Sequence, residues 1–283
     1  MRLKVYHRTE YSYSESVRNN SNEVKLTPVS TRWQSCLSSF IRVLPAVQLR
    51  HYIDLNNNLV HLFDVVDPHD RLVIDSYIEL ETLSRVDYEK LPYGFQHVDL
   101  DRCRLMDDCH PFLQNSHLVE ITPEAWRQAL DIQGDSKDVF QTTYAIMEHI
   151  YSEYTYQAGV TNVSTTASEV LIKREGVCQD FAHAMVAMCR SIGIPARYVS
   201  GYFFDASRGL HARGSEASHA WVDVYIDGHG WIGLDPTNNK VVDDTYITLA
   251  IGRDYMDVAP VKGSYIGAAR SLMSVTLHVE KLN

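Results

Sequence analysis

Three residue types that together perform acyl transfer occur along this chain in the order Cys178, His219, Asp235. Cys178 follows Gly176 and precedes the apolar series Phe181, Met185, Met188, Cys189 and Ile192, whose spacing predicts an amphipathic helix starting at the cysteine. Gly193 stands where a C-terminal cap belongs, and Pro195 forbids continuation. A thiol at a helix N-terminus faces unpaired backbone N–H groups and the positive end of the macrodipole, which favours its thiolate. A lone cysteine is more often a small buried hydrophobe. A nucleophilic role therefore requires a base and a group that orients the base.

His219 and Asp235 fit those two roles. His219 opens an expected strand through Ile226, and Asp235 ends another from Trp231. The turn residues Asp227-Gly228-His229-Gly230 join them as a hairpin, so both sit at one end of it. A carboxylate so placed can fix an imidazole tautomer and hold the imidazolium. Register decides whether they meet. A two-residue turn at Gly228-His229 would point them to opposite faces, whereas an odd loop or a glycine bulge puts both on one face. The expectation is the odd loop or bulge. For the oxyanion, the Cys178 backbone N–H is a natural donor, and Tyr154, Tyr156 and Gln157 are the side-chain candidates upstream, Tyr156 favoured.

Other residues read as supporting or inert. His183 suits a satisfied core histidine or a support of the site, while His211 and His229 fall in expected loops and suit solvated positions. Trp221 and Trp231 suit core or cleft wall. Asp180 suits an electrostatic or capping partner of the helix start, with Arg197 as its expected ion-pair partner. Cys103, Cys109 and His110 lack the paired spacing of a zinc site, and Asp243-Asp244 lacks the alternating oxygen ligands of a calcium loop. No metal and no organic cofactor is expected.

The elements that must carry these residues divide the chain in two. Residues 1–86 alternate in the manner of strands, as in Leu3, Val5, His7 and Thr9. Asn56-Asn57-Asn58 reads as a hairpin turn between two such runs. This predicts an N-terminal antiparallel β domain of sandwich type. Residues 87–121 read as an irregular crossing segment. Residues 122–283 begin with helices, the first capped by Thr122 with Pro123 at its first position and the second capped by Asp135 or Ser136. A short helix over 168–174 then delivers the chain to the glycine turn. Strands follow over 196–203, 219–226 and 231–235, with a loop over 205–218 and a last strand about Met273–Val279 that pairs back onto the sheet. The fold class expected is α+β.

Composition excludes several classes. With 283 residues, 45% hydrophobic and 22% charged, the chain has an ordinary globular balance. A net charge of −10 without a dense Lys/Arg run argues against nucleic acid. No apolar run is long enough for a bilayer, and the first residues lack a signal-peptide core. Five widely spaced cysteines read as free thiols of a reducing cytoplasm.

Four ordered blocks, Gly176–His183, Gly193–Tyr202, Ser218–Val222 and Gly230–Thr237, resemble the bacterial transglutaminase-like superfamily. His7–Tyr13 and Leu26-Thr27-Pro28 resemble the β-rich N-terminal region that accompanies that core, and Gly252–Tyr255 resembles its C-terminal part. The resemblance implies a papain-like core in 122–283 with Cys178 as nucleophile, His219 as general acid/base and Asp235 as orienter. It points to a thiol peptidase or amidase acting on a peptide or protein through a thioester. A transglutaminase that passes the acyl group to an amine uses the same residues. A catalytically silent peptide-binding module is the reading of another class, and it predicts an unreactive Cys178.

Overall fold

Alternation buries Leu3, Val5, His7, Thr9 and Tyr13 along one face of β1 (Arg2–Thr27), a strand of 26 residues. The computed structural model describes residues 1–84, 90–204 and 218–282. The expected loop over 205–218, with His211, lies outside the described residues except for Ser218. After β1 come β2 (Gln34–Leu44), β3 (Arg50–Ile53), β4 (Leu59–Val65) and β5 (His69–Thr82). Asp54 closes the β3–β4 turn by accepting the N–H groups of Asn56 and Asn58, and Asn57 takes the left-handed conformation (φ 62°) that asparagine tolerates. The sheet order is β2-β5-β1-β4-β3.

The crossing segment carries two 3-10 helices, His97–Leu105 and His110–Leu113, and it buries Cys103 and Cys109 in the core of the second half. Then follow α1 (Pro123–Gln133), α2 (Val139–Glu153), β6 (Thr155–Tyr156), α3 (Ala167–Lys173) and β7 (Glu175–Gly176). Thr122 caps α1 as expected, accepting the Ala125 N–H at 3.2 Å. The α2 cap is Asp138, which accepts the Gln141 N–H at 2.8 Å, and neither Asp135 nor Ser136 takes that role. Several capping residues stand in a row there, and the helix begins after the last of them.

Next come α4 (Cys178–Ser191), β8 (Ala196–Phe203), β9 (His219–Ile226), β10 (Gly230–Asp235), β11 (Lys240–Val241), β12 (Tyr246–Gly252), α5 (Tyr255–Val258), β13 (Val261–Ile266) and β14 (Ser271–Lys281). The second sheet has the order β11-β10-β9-β8-β12, all antiparallel neighbours. Helix α4 is buried on nearly every side, by α1, α2 and α3 and by the face of β8 and β9 that bears Ala196, Tyr198, Ala220, Val222 and Val224. The opposite face holds a smaller cluster of Val199, Trp221, Val242 and Tyr246.

The chain's last strands do not stay with the second sheet. β13 and β14 both pair antiparallel with β1, Val24 opposite Val261 and Leu3 opposite Lys281. Residues 261–281 thus belong to the sheet of the first half, although they follow the helices and the second sheet in sequence. The two halves also share a core, in which Tyr202, Ile247 and Leu249 pack among the N-terminal apolar residues.

Candidate active site

Gly176 sets the entry to α4. Its φ of +152° is one that side chains rarely adopt, and a Cβ there would meet Asp180 Oδ2 at 2.5 Å. Asp180 is buried and uses that oxygen to accept the Val177 N–H at 2.8 Å and the Thr161 hydroxyl at 2.6 Å. A first-turn carboxylate so placed satisfies an orphan donor and complements the helix dipole. The residue it orders is Cys178, first in α4 and 9% exposed.

His219 and Asp235 meet beside it. The loop between β9 and β10 is Asp227-Gly228-His229, an odd one, and the ladder runs from Gly230 opposite Ile226 to Leu234 opposite Val222. In that register Asp235 falls opposite Trp221, so it shares a face with His219. His219 Nε2 lies 2.7 Å from Asp235 Oδ2, and both side chains are wholly buried. With Nε2 engaged, Nδ1 is buried and makes no hydrogen bond among the described residues, and Cys178 lies close enough to act on the charge of the ring. Burial works against a charged imidazole here, yet the Asp235 charge and hydrogen bond, with a further contribution from Cys178, lift His219 to about 10.

Asp235 is itself held in place. Its Oδ2 also accepts the Tyr246 hydroxyl and Asn238 Nδ2, each at 2.8 Å, and its Oδ1 accepts the Thr237 N–H at 2.8 Å. Burial opposes its charge, but His219 and these donors keep its carboxyl below the usual range. Sequence reading passed over Tyr246 and Asn238. Asn238 lies just past Pro236-Thr237, and that proximity was the available signal; Tyr246 comes from β12 and gave none. Phe203 and Tyr246 flank the imidazole at 6.1 and 6.3 Å between ring centroids. Trp221 is fully buried, 6.3 Å from the same ring, and so forms floor and not cleft wall.

The other expected residues separate. Tyr156 lies in β6, paired parallel to Gly176 at the approach to Cys178, with its ring against Phe181. Tyr154 is buried, stacks edge-on against Phe181, and its hydroxyl is pushed up to about 12 by burial. Gln157 is exposed. His183 is buried, with Nε2 accepting the Tyr255 N–H at 3.1 Å, and burial pulls it down to about 4. His229 is exposed. Arg197 does not reach Asp180. It grips Asp223, its cross-strand neighbour, at 3.1 and 2.8 Å and lies 4.2 Å over Trp231. Asp243 pairs with Lys240 at 2.8 Å. Among the described residues no three His, Cys, Asp or Glu side chains group as metal ligands, and no helix is long and apolar enough to cross a membrane.

Comparison with known proteins matches residues 127–236 to the model of the transglutaminase-like superfamily and residues 3–81 to that of the bacterial transglutaminase-like N-terminal region. An uncharacterized protein of Mycobacterium leprae is 32% identical over 284 residues, covering 99% of both chains. The chain belongs to the transglutaminase-like superfamily. A protein of Mycobacterium tuberculosis, also uncharacterized, is 33% identical over 98% of this chain and 92% of its own. A crystal structure from Cytophaga hutchinsonii, described as "a Putative Cysteine Protease", shares the fold with a TM-score of 0.78 at 24% identity, covering 100% of this chain and 92% of that one. The α+β, papain-like architecture with a sheet-rich N-terminal region is therefore that of this thiol-enzyme family.

Proposed function

We propose that this superfamily member is a thiol-dependent hydrolase of peptide or side-chain amide bonds. The observation that carries the reading is the buried His219–Asp235 pair at 2.7 Å, with Nδ1 unbonded among the described residues and so available to the thiol at the start of α4. The Cys178 thiolate attacks the amide carbon, and the carbonyl oxygen takes up the negative charge. The Cys178 backbone N–H and the Tyr156 hydroxyl are the donors assigned to that oxyanion. His219 gives its proton to the departing amine, leaving a thioester on Cys178. His219, now neutral, takes a proton from the water that attacks the thioester, and the acid departs with the thiolate and imidazolium restored. Asp235 holds the ring throughout and stabilises it whenever it is the imidazolium.

Transfer to an amine is the second reading. A protein-glutamine gamma-glutamyltransferase of Pseudomonas aeruginosa is 34% identical to this chain over 88 residues, 30% of its length, and that local likeness favours it. We hold hydrolysis first because no side-chain arrangement among the described residues specifies an amine site.

A mass-spectrometric comparison of wild type and Cys178→Ala on peptides and glutamine-bearing proteins, with and without a primary amine, separates the cases. Shortened peptides or glutamine converted to glutamate mean hydrolysis, and added amine mass means transfer. A silent binding module gives no Cys178-dependent product. It also gives iodoacetamide labelling of Cys178 no faster than that of Cys36, the partly exposed thiol.

A further inference from the structure

A cavity of about 650 Å³ opens at the far end of α4, beside Ser191, Ile192 and Gly193. The helix has 14 residues, which sets the cavity about 20 Å from Cys178. Its lining includes neither the residues around the His219 ring nor those of β6. Acidic residues outnumber basic ones 36 to 26 in this chain, yet among the described residues no carboxylate lines the cavity. Its charged residues at neutral pH are Arg104 and Arg190.

Arg190 is the more telling of the two. It is 3% exposed and donates to the carbonyls of Ala196, Gln114 and Arg253. Each terminal nitrogen makes one of these bonds and keeps a further N–H. The carboxylate nearest in effect is Asp254, which already accepts the backbone N–H groups of Leu118 and Met256. Arg104 sits at the rim, its pairing with exposed Asp101 the weak kind found on surfaces. The same cavity has an apolar wall. Trp126 and Leu130, one turn apart on α1, are 50% and 37% exposed there. His97, His110, Leu100 and Leu113 also line it, and Gln114 and Gln133 add amides, the Gln133 amide already donating to the Ser136 carbonyl at 3.2 Å.

We propose that this cavity binds an acidic peptide segment that sets an aromatic or branched aliphatic side chain beside its carboxylates. Fixed positive charge recognises the carboxylates, the Trp126–Leu130 wall covers the apolar side chain, and the glutamine amides meet the peptide backbone. An inorganic anion would leave that wall exposed and fill little of the volume, which lies in the range of ligand sites. The binding does not depend on catalysis at Cys178.

The test is fluorescence anisotropy with a fluorescein-labelled acetyl-Asp-Phe-Glu-Leu-Glu amide, its lysine-for-acid counterpart and its alanine-for-apolar counterpart. The acidic peptide binds at least about tenfold more tightly than the lysine one, and more weakly as salt rises. Arg104→Glu and Trp126→Ala, both at exposed positions, each lower the affinity about tenfold with unchanged circular dichroism. Cys178→Ala binds as wild type does. Equal affinity for acidic and lysine peptides, full affinity in both rim variants, or loss of binding in Cys178→Ala overturns the proposal. Full affinity in the alanine counterpart together with displacement by inorganic phosphate also overturns it, by assigning the cavity to a free anion.

Discussion

The Tyr246 hydroxyl and the His219 imidazole reach the same oxygen of Asp235, at 2.8 and 2.7 Å, from different strands of one sheet. Tyr246→Phe removes one donor from a buried carboxylate and keeps the ring against Phe203 and Trp221. It should lower stability by about 1–2 kcal/mol, read from denaturant midpoints, and lower kcat/KM about tenfold. Unchanged values for both would mean that the hydroxyl contributes nothing to holding Asp235.

Replacing Asp235 by Asn tests the charge and not the shape. Asp235 raises His219 to about 10 against burial, so its loss lets the imidazole titrate far lower. If the proposed mechanism holds, kcat/KM should fall as His219 loses its proton near pH 10, and that fall should move towards neutral pH in Asp235→Asn. Peak activity should drop by about 10³–10⁴. NMR titration of the His219 ring checks the shift directly, and an unmoved ring would sink this account.

Gly176 and Gly228 both have positive φ, and the difference between their surroundings is testable. At Gly228 a Cβ meets nothing within 4 Å, so Gly228→Ala costs only backbone strain, about 1 kcal/mol. At Gly176 the same atom collides with Asp180, breaking the hold on Val177 as well. Gly176→Ala should cost roughly 2–4 kcal/mol and change the Cys178 alkylation rate, whereas Gly228→Ala should leave that rate alone. Equal effects at the two sites would refute the role given to the Asp180 contact.

Stability should peak near pH 6.5. His7 and His183 are buried and pulled down to about 4. As pH falls from 6.5 towards 4, the unfolded chain takes up protons there and the folded one does not. Each site then removes about 1.4 kcal/mol per pH unit. His219 acts in the other direction, because its folded value of about 10 lies above the unfolded one. Its contribution is complete below pH 6.5 and lost as pH rises to 10. Urea denaturation across pH 4.5–9.5 reads both limbs, and His7→Gln should flatten the acid limb only.

The sequence made α4 and strands β8 to β10 legible because their signals are local. An apolar series at helical spacing, a glycine before the cysteine and one turn between two alternating runs each need only neighbours along the chain. The odd β9–β10 loop followed from the requirement that His219 and Asp235 share a face. Tyr246 was invisible because it reaches Asp235 from β12, whose neighbour in the sheet is β8 and whose ladder is irregular between Thr248 and Ala250. The partner of Arg197 was missed for a related reason. Asp223 lies directly across β8–β9, but a register spanning the segment after Phe204 cannot be counted from residues alone. The α2 cap failed differently, since Asp135, Ser136 and Asp138 are chemically equivalent choices and packing decides among them.

The pairing of Leu3 with Lys281 gives this chain an order of assembly. During synthesis the first sheet emerges early, with one flank of β1 already covered by β5 and β4. The other flank waits for β13 and β14, which follow the second sheet along the chain. Until then β1 is an open edge of the kind that templates misassociation between nascent chains. The intervening helices and second sheet must collapse to bring the two ends together, because closing so long a loop gains nothing until it is complete. Completion of the hydrogen-bonded frame is thereby made contingent on prior folding of the half that bears Cys178.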